Sequence, residues 1–206
     1  AERTTGNATG SMGANWVRFA SIAGAALASI GIGSFAADVV AEAQTFETAT
    51  LRMQAVIRTT NGVAGRSAEQ LREYARELAL NTLESTEGVM RAQTTLLTFR
   101  GIQGDTFDRT IDAAADMSAA LGVDLNSAAM QLGRALENPT EGMSALTRSG
   151  TVFTQAQKDM VRGMVETGQI AEAQAFILSE LEAQYGGTAR AAAEGLAGAQ
   201  DTLGQR

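Results

Sequence analysis

Four carboxylates form the arrangement in this sequence that comes nearest to a chemical site. Asp105, Asp108, Asp112 and Asp116 (the acidic row) recur at steps of three and four residues, so they share one face of a helix. Carboxylate oxygens bind hard cations, but protein calcium loops contain a turn glycine that is absent from this row. We therefore expect the acidic row to be a solvated helix face and not a metal site.

The residue types that most often carry out catalysis are missing. The 206 residues include no cysteine and no histidine, which excludes disulfides, thiolate zinc sites and cysteine nucleophiles. The most common general base and transition-metal ligand is absent as well. The glycine pairs at 31–33 and 101–104 lack the features of a phosphate-binding loop, which are a preceding strand and a following Lys-Ser/Thr. We predict a protein that is not an enzyme, with no catalytic residue, no bound metal and no cofactor.

The elements that position these residues are predicted to be helices. The chain contains 39 alanines, one proline and 5% aromatic residues, and alanine has the highest helix propensity. We expect an all-α fold in which a long N-terminal helix with an apolar Ala/Gly segment is followed by a compact multi-helix bundle. The net charge of −7 offers no basic face to the phosphates of double-stranded DNA, so we expect no sequence-specific nucleic acid binding.

Changes in composition divide the chain into four parts. Residues 1–14 are small and polar and are predicted to be a disordered linker. Residues 15–58 show no stop signal and are predicted to form one long apolar and amphipathic helix. Residues 67–186 are predicted to fold as a compact helical domain, and 188–206 to begin a further Ala/Gly-rich helix. Because the chain starts at Ala1 and not at Met, we expect a piece of a longer polypeptide.

An apolar segment near the start of the chain matches the thickness of a membrane. Nineteen uncharged residues lie between Arg18 and Asp38, and a helix of that length spans about 28 Å. Trp16 and Arg18 form a pair suited to an interfacial anchor, and a tryptophan buried at the start of a helix is the alternative. Small residues at every fourth position allow close helix contact, either among identical copies or in a membrane. This predicted packing stripe consists of Ser21, Ala25, Ser29, Gly33 and Ala37.

Helix start signals follow one another within residues 67–186. Capping boxes are predicted at Ser67 and at Thr154, each with a glutamine three residues later. Asn138 and Pro139, followed by Glu141, give the strongest start signal in the chain. Single N-caps are predicted at Ser85, Asp105 and Asp124.

Apolar spacing on these helices predicts which side chains form the core. Helical periodicity places Ile170 on the inward face of the last amphipathic helix. Met160 and Met164 are expected to fill gaps in the core, because methionine adapts to irregular spaces.

The segment Ala135–Ala199 resembles the helical region of phage tail length tape measure proteins. The motif of that family begins with A-L-x-(N/D)-P and a G-M-x-A-L helix. A G-x-x-F-T-x-x-Q turn, a (V/I)-x-x-G-x-x-x-x-A-Q helix and a terminal G-G-x-A follow. The matching positions are Ala135, Leu136, Asn138, Pro139, Gly142, Met143, Ala145, Leu146, Gly150, Phe153, Thr154, Gln157, Val165, Gly168, Ala173, Gln174, Gly186, Gly187 and Ala189.

This resemblance implies a structural protein of a phage or prophage virion, present in several copies in the tail-tube lumen. Such a protein sets tail length during tail assembly and leaves with the DNA during genome ejection. The implied partners are copies of itself, tail tube and tail-tip proteins, tail assembly chaperones and a host membrane in the cell envelope. The alternative from the residues is a membrane-inserting or pore-forming helical protein that acts on the bacterial envelope through residues 19–37.

Overall fold

The computed structural model describes residues 33–60, 62 and 64–204, with side chains described between 46 and 197. These residues form α-helices joined by short loops, and the described part of the chain contains no strand. The predicted all-α fold is therefore confirmed. Most of the predicted apolar segment, 19–37, lies outside the described residues, since the description begins at Gly33, whereas the part of the predicted long helix from Gly33 on is helical.

The helices follow one another with few residues between them. In chain order they are α1 (Gly33–Thr59), α2 (Ala68–Asn81), α3 (Thr86–Leu96), α4 (Asp105–Leu121), α5 (Leu125–Glu137), α6 (Pro139–Arg148), α7 (Gln155–Glu166), α8 (Ile170–Tyr185) and α9 (Thr188–Gly204).

The chain divides into two units, Ala1–Thr48 and Ala49–Arg206. In the first unit the described residues, from Gly33 on, are helical. All the contacts discussed below lie within the second unit. The predicted boundaries at 1–14, 15–58, 67–186 and 188–206 stay predictions.

Helix α5 lies at the centre of the second unit. It packs against α3, α4 and α6, while α4 also packs against α8 and α9, and α7 rests on α6 and α8. Fully buried aliphatic, methionine and phenylalanine side chains fill the space between these helices, and each contributes about 1.5–3 kcal/mol of transfer free energy. The largest outside α1 are Leu71, Met90, Leu96, Ile102, Phe107, Ile111, Met117, Leu132, Leu136, Met143 and Leu146.

Most of the predicted helix starts are confirmed. The Ser67 hydroxyl accepts from the Gln70 backbone N–H at 3.2 Å, and the Gln70 side chain accepts from the Ser67 N–H at 2.8 Å. Thr154 forms the same capping box. Ser85 and Asp124 each accept a backbone N–H from three residues later. These caps satisfy donors that the first turn of a helix leaves without an intrahelical partner.

Two predicted caps are corrected. Asp105 is the first residue of α4 and does not cap it, because the N-cap is Gly104, whose φ of 55° turns the chain one residue earlier. Asn138 does precede Pro139 at the start of α6, but its side chain makes no capping hydrogen bond. The Asn138 backbone carbonyl instead accepts from the Gly142 N–H at 2.8 Å.

Two core predictions are wrong. Met160 is 49% exposed and Ile170 is 38% exposed. Met160 lies on α7, which packs against α6 and α8 and has Val161 as its buried residue, and Ile170 is the first residue of α8. Periodicity identifies the apolar face of such a helix but not how much of that face the neighbouring helices cover. Met164 is half-buried.

Candidate functional site

The acidic row of α4 connects three other parts of the chain. Asp108 forms an ion pair with Arg66, in the segment before α2. This hydrogen bond raises the pKa of the Arg66 guanidinium. Asp112 Oδ1 accepts a hydrogen bond from the Tyr74 hydroxyl of α2 at 2.5 Å. Both carboxylates therefore hold α4 to the segment that contains α2.

Asp116 caps the start of α9 from a different helix. Its two carboxylate oxygens accept the backbone N–H groups of Gly187 at 3.1 Å and of Ala189 at 2.9 Å. The glycine pair before Thr188 offers no side chain of its own for this purpose. A carboxylate at this position satisfies donors of the first helical turn and is favoured by the helix dipole.

Three of the four carboxylates therefore bond to other parts of the chain, which the prediction of a solvated face did not include, although Asp112 is exposed and none of the four is fully buried. Asp105 is exposed, and it has no hydrogen-bond or ion-pair partner among the described residues. Residues 33–60, 62 and 64–204 contain no group of three or more side chains that could hold a metal ion. The row thus acts as a set of links between helices. Its partners lie far away in the sequence, so residue spacing alone does not reveal them.

Charge and burial shift the pKa values of the Tyr74–Asp112 pair. Burial is the main cause that raises the pKa of the Tyr74 phenol, and the hydrogen bond to Asp112 raises it further. The phenol therefore keeps its proton and remains a donor. Neighbouring protein atoms that exclude water raise the pKa of Asp112, as do the charges of Asp116, Asp108 and Glu182, while the Tyr74 hydrogen bond opposes this change.

Helix α8 is held to α4 by a two-point ion pair. Arg109 donates to both carboxylate oxygens of Glu182, at 2.8 and 3.1 Å, and also to the Ser179 hydroxyl at 3.2 Å. This arrangement uses the planar donor geometry of the guanidinium. The hydrogen bond to Glu182 raises the pKa of Arg109.

Gln174 gives a physical reason for one position of the sequence motif. Its side chain is 3% exposed, and its amide donates to the carbonyls of Gly101 and Leu136 at 3.1 and 3.0 Å. The Leu136 carbonyl lies in the last turn of α5, where no backbone N–H of the same helix is available to donate to it. One buried amide thus joins α8, the end of α5 and the loop before α4.

Gly142 sets the closest approach of α5 and α6. A Cβ atom on Gly142 would lie 2.3 Å from the Ala135 carbonyl oxygen and 2.4 Å from its Cα atom. The two helices therefore cross with backbone directly against backbone, which no residue other than glycine permits without movement.

Other motif positions lie at the ends of helices. Gly150, Gly168 and Gly187 have φ values of 112°, 79° and 81°, in the region that favours glycine. Thr154 and Gln157, which are also motif positions, form the capping box of α7. The residues that carry the resemblance therefore specify how successive helices join and cross.

The predicted packing and membrane residues stay predictions. Trp16, Arg18, Ser21, Ala25 and Ser29 lie outside the described residues. The last two members of the packing stripe belong to the backbone of α1, and their side chains are also outside the description. No helix in the described ranges is both long and apolar enough to cross a membrane.

Comparison with protein families identifies the chain. The family model described as prophage tail length tape measure protein matches residues 4–162. This match includes residues 135–162 of the motif segment, whose remaining residues, 163–199, lie outside it. Comparison with curated proteins and with solved structures gives no match. Because the matched residues make up more than half of the sequence, this chain belongs to the prophage tail length tape measure protein family.

Proposed function

We propose that the chain is part of the ruler that sets tail length from within the tail-tube lumen during assembly. The observation that carries this proposal is the match to the tape measure family over residues 4–162. Membership in that family assigns a role in the phage tail, and the ruler mechanism is the specific form of that role that we propose.

The all-helical fold supports this mechanism because helix length is proportional to residue number. Each residue of an extended helix adds about 1.5 Å to a ruler. A packed unit such as α2–α8 adds far less length per residue, since its helices fold back on one another. The length standard would then be carried by extended helical segments, and the packed unit would serve as a contact module. The net charge of −7 would limit adhesion to DNA that passes through the tube.

The partners and the later fate of the protein are also proposals. The family resemblance implies contacts with copies of itself, tail tube proteins, tail-tip proteins and tail assembly chaperones. It also implies release with the DNA during ejection, when the protein reaches the host envelope. Only the sequence of residues 19–37 supports the membrane-inserting alternative, and the ruler is therefore the function that we propose.

We propose that copies associate through the packing stripe. Gly33→Leu should crowd this face and weaken self-association in detergent and in liposomes, because small residues permit close helix contact. Leu27→Ile, which lies off the stripe, is the control and should have little effect. Equal self-association of the two variants would contradict the role of the stripe.

A change in helix length tests the ruler directly. In the phage gene, a helical insertion of 72 residues (about twenty turns) after Ala197, in α9, should lengthen the tail by about 108 Å. A flexible Gly/Ser insertion of equal length is the control, with a root-mean-square span of roughly 45 Å. Electron microscopy of the tails measures the difference. Normal tail length in the phage with the helical insertion would refute the ruler.

A further inference from the structure

A groove lies beside the crossing of α5 and α6. The helices touch at Gly142 and Ala135, and they diverge from this contact to enclose a volume of about 450 Å³. We call this volume the α5–α6 groove. Its lining residues are Ser127, Gln131, Arg134, Ala135, Asn138, Glu141, Gly142, Ala145 and Arg148.

Two arginines without a charged partner line the groove. Arg134 lies in the last turn of α5 and Arg148 in the last turn of α6. Neither side chain forms a hydrogen bond or an ion pair within the described part of the chain. The side chains of Arg52, Arg58, Arg100 and Arg190 are also unpaired there, but none of them lines this groove. The helix dipole favours a positive charge in the last turn of each helix. This interaction does not explain why both arginines line the same groove.

The remainder of the lining is polar or small. Ser127, Gln131 and Asn138 supply hydroxyl and amide groups. The Ser127 hydroxyl donates to Asp124 and the Gln131 amide to the Ser149 hydroxyl, while the Asn138 side chain makes no capping bond. No aromatic or large aliphatic side chain is among the lining residues, although the groove exposes more apolar than polar surface. A ligand of this groove would therefore be held by charge and hydrogen bonds and not by an apolar anchor.

We propose that the α5–α6 groove binds a carboxylate-bearing peptide segment of another protein. The Arg134 and Arg148 guanidiniums present paired donors that match carboxylate oxygens. Glu141 faces the same groove and would accept a hydrogen bond from the peptide backbone or from a basic side chain. This inference is independent of the ruler mechanism, since it depends only on the geometry of α5 and α6.

The charges favour an acidic peptide over a nucleic acid. Nucleic acid binding depends on many phosphate contacts, and this groove offers two guanidiniums in a chain with a net charge of −7. Glu141 would also repel a continuous phosphate backbone. A peptide needs only a few carboxylates and can provide donors to Glu141.

The test uses the full chain and a fluorescent helical peptide with glutamates four residues apart. Fluorescence anisotropy should show saturable binding at low salt, and the same peptide with glutamine at these positions should not bind. The double variant Arg134→Gln/Arg148→Gln should weaken binding by at least about tenfold, through loss of two charge-assisted contacts. Both side chains are exposed and unpaired, so this variant should keep the circular dichroism spectrum and stability of the unsubstituted chain.

A second double variant provides a control of equal charge. Arg91→Gln/Arg162→Gln removes two exposed arginines outside the groove and should leave peptide binding within about twofold, because surface ion pairs contribute little energy. An equal loss in both double variants, or no binding of the glutamate peptide, would refute the proposal. Arginine-dependent binding of a single-stranded oligonucleotide in place of the peptide would overturn the ligand class. Self-association that requires Arg134 and Arg148, seen by sedimentation, would identify a second copy as the occupant and overturn the other-protein assignment.

Discussion

Replacement of Gly142 by alanine should destabilise the second unit. An added Cβ would lie 2.3 Å from the Ala135 carbonyl oxygen, whereas an ordinary contact begins at 3.4 Å. The two helices would have to separate by about 1.1 Å, because the obstacle is backbone and cannot rotate away. Buried Met143 and Leu146, on the same short helix, would then lose part of their packing.

The expected size follows from two opposing effects. Overpacking of a tight contact costs about 1–3 kcal/mol, and a backbone clash belongs at the upper end. Alanine has a helix propensity better than glycine by about 1 kcal/mol, which offsets part of the cost. We expect Gly142→Ala to lower the free energy of unfolding by about 2 kcal/mol.

Two other glycines provide matched controls in the same assay. Gly163, within α7, has no atom within 4 Å of an added Cβ, so Gly163→Ala should raise stability by about 0.5–1 kcal/mol. Gly133→Ala would meet the Phe99 ring at 2.4 Å, an obstacle that is a side chain, so its cost should lie between the other two. Urea unfolding followed by circular dichroism measures all three. Equal stability of Gly142→Ala and Gly163→Ala would contradict a direct backbone contact between α5 and α6 at this crossing.

Three further changes test the contacts of α3 and α4. Asp116→Ala should speed amide hydrogen exchange at the start of α9 and cost about 0.5–2 kcal/mol, whereas Asp105→Ala, which removes an unbonded carboxylate, should have a smaller effect. The pKa of Asp112 is higher in the folded chain than the ordinary value of 3.8, so the folded chain holds this proton more tightly than the unfolded chain does. The free energy of unfolding of the unsubstituted chain therefore falls as pH rises from 3.8 through the raised pKa. Asp112→Asn should remove this contribution, with greater stability at neutral pH and no advantage below pH 3.8 in urea unfolding. Gln93 is fully buried and its side-chain amide has no hydrogen-bond partner among the described residues. Gln93→Met should therefore raise the unfolding midpoint by the equivalent of about 1–3 kcal/mol, and a lower midpoint would contradict the lack of a partner.

Local contacts were predictable from the sequence, since their partners lie within one helical turn. Ser67 and Thr154 cap the next residues of their own helices, as their spacing to Gln70 and Gln157 predicts. The failed predictions involve a backbone conformation or a neighbouring helix. Asp105 was predicted to be the N-cap of α4, but the turn at Gly104 makes that glycine the N-cap.

The links between helices could not be predicted in this way. The hydrogen bonds from Arg109 to Glu182 and from Gln174 to Gly101 each join residues 73 positions apart. Nothing in the residue types near Asp116 indicates that it caps a distant helix. The weak signal that existed was the glycine pair before α9, which leaves that helix without a capping side chain of its own. The predicted site residues of the N-terminal segment lie outside the description, so contacts within the second unit do not test them.

The crossing of α5 and α6 connects the family motif with the proposed peptide site. Gly142 belongs to the motif because it allows backbone contact with Ala135, and the same contact shapes the groove between the two helices. Arg134 and Arg148 are not motif positions, and neither side chain forms a hydrogen bond or an ion pair among the described residues. The shape of the groove therefore depends on a motif position, whereas its two guanidiniums come from positions outside the motif. Substitutions can separate the two, since Gly142→Ala should alter stability and groove shape together, while the arginine variants should alter peptide binding alone.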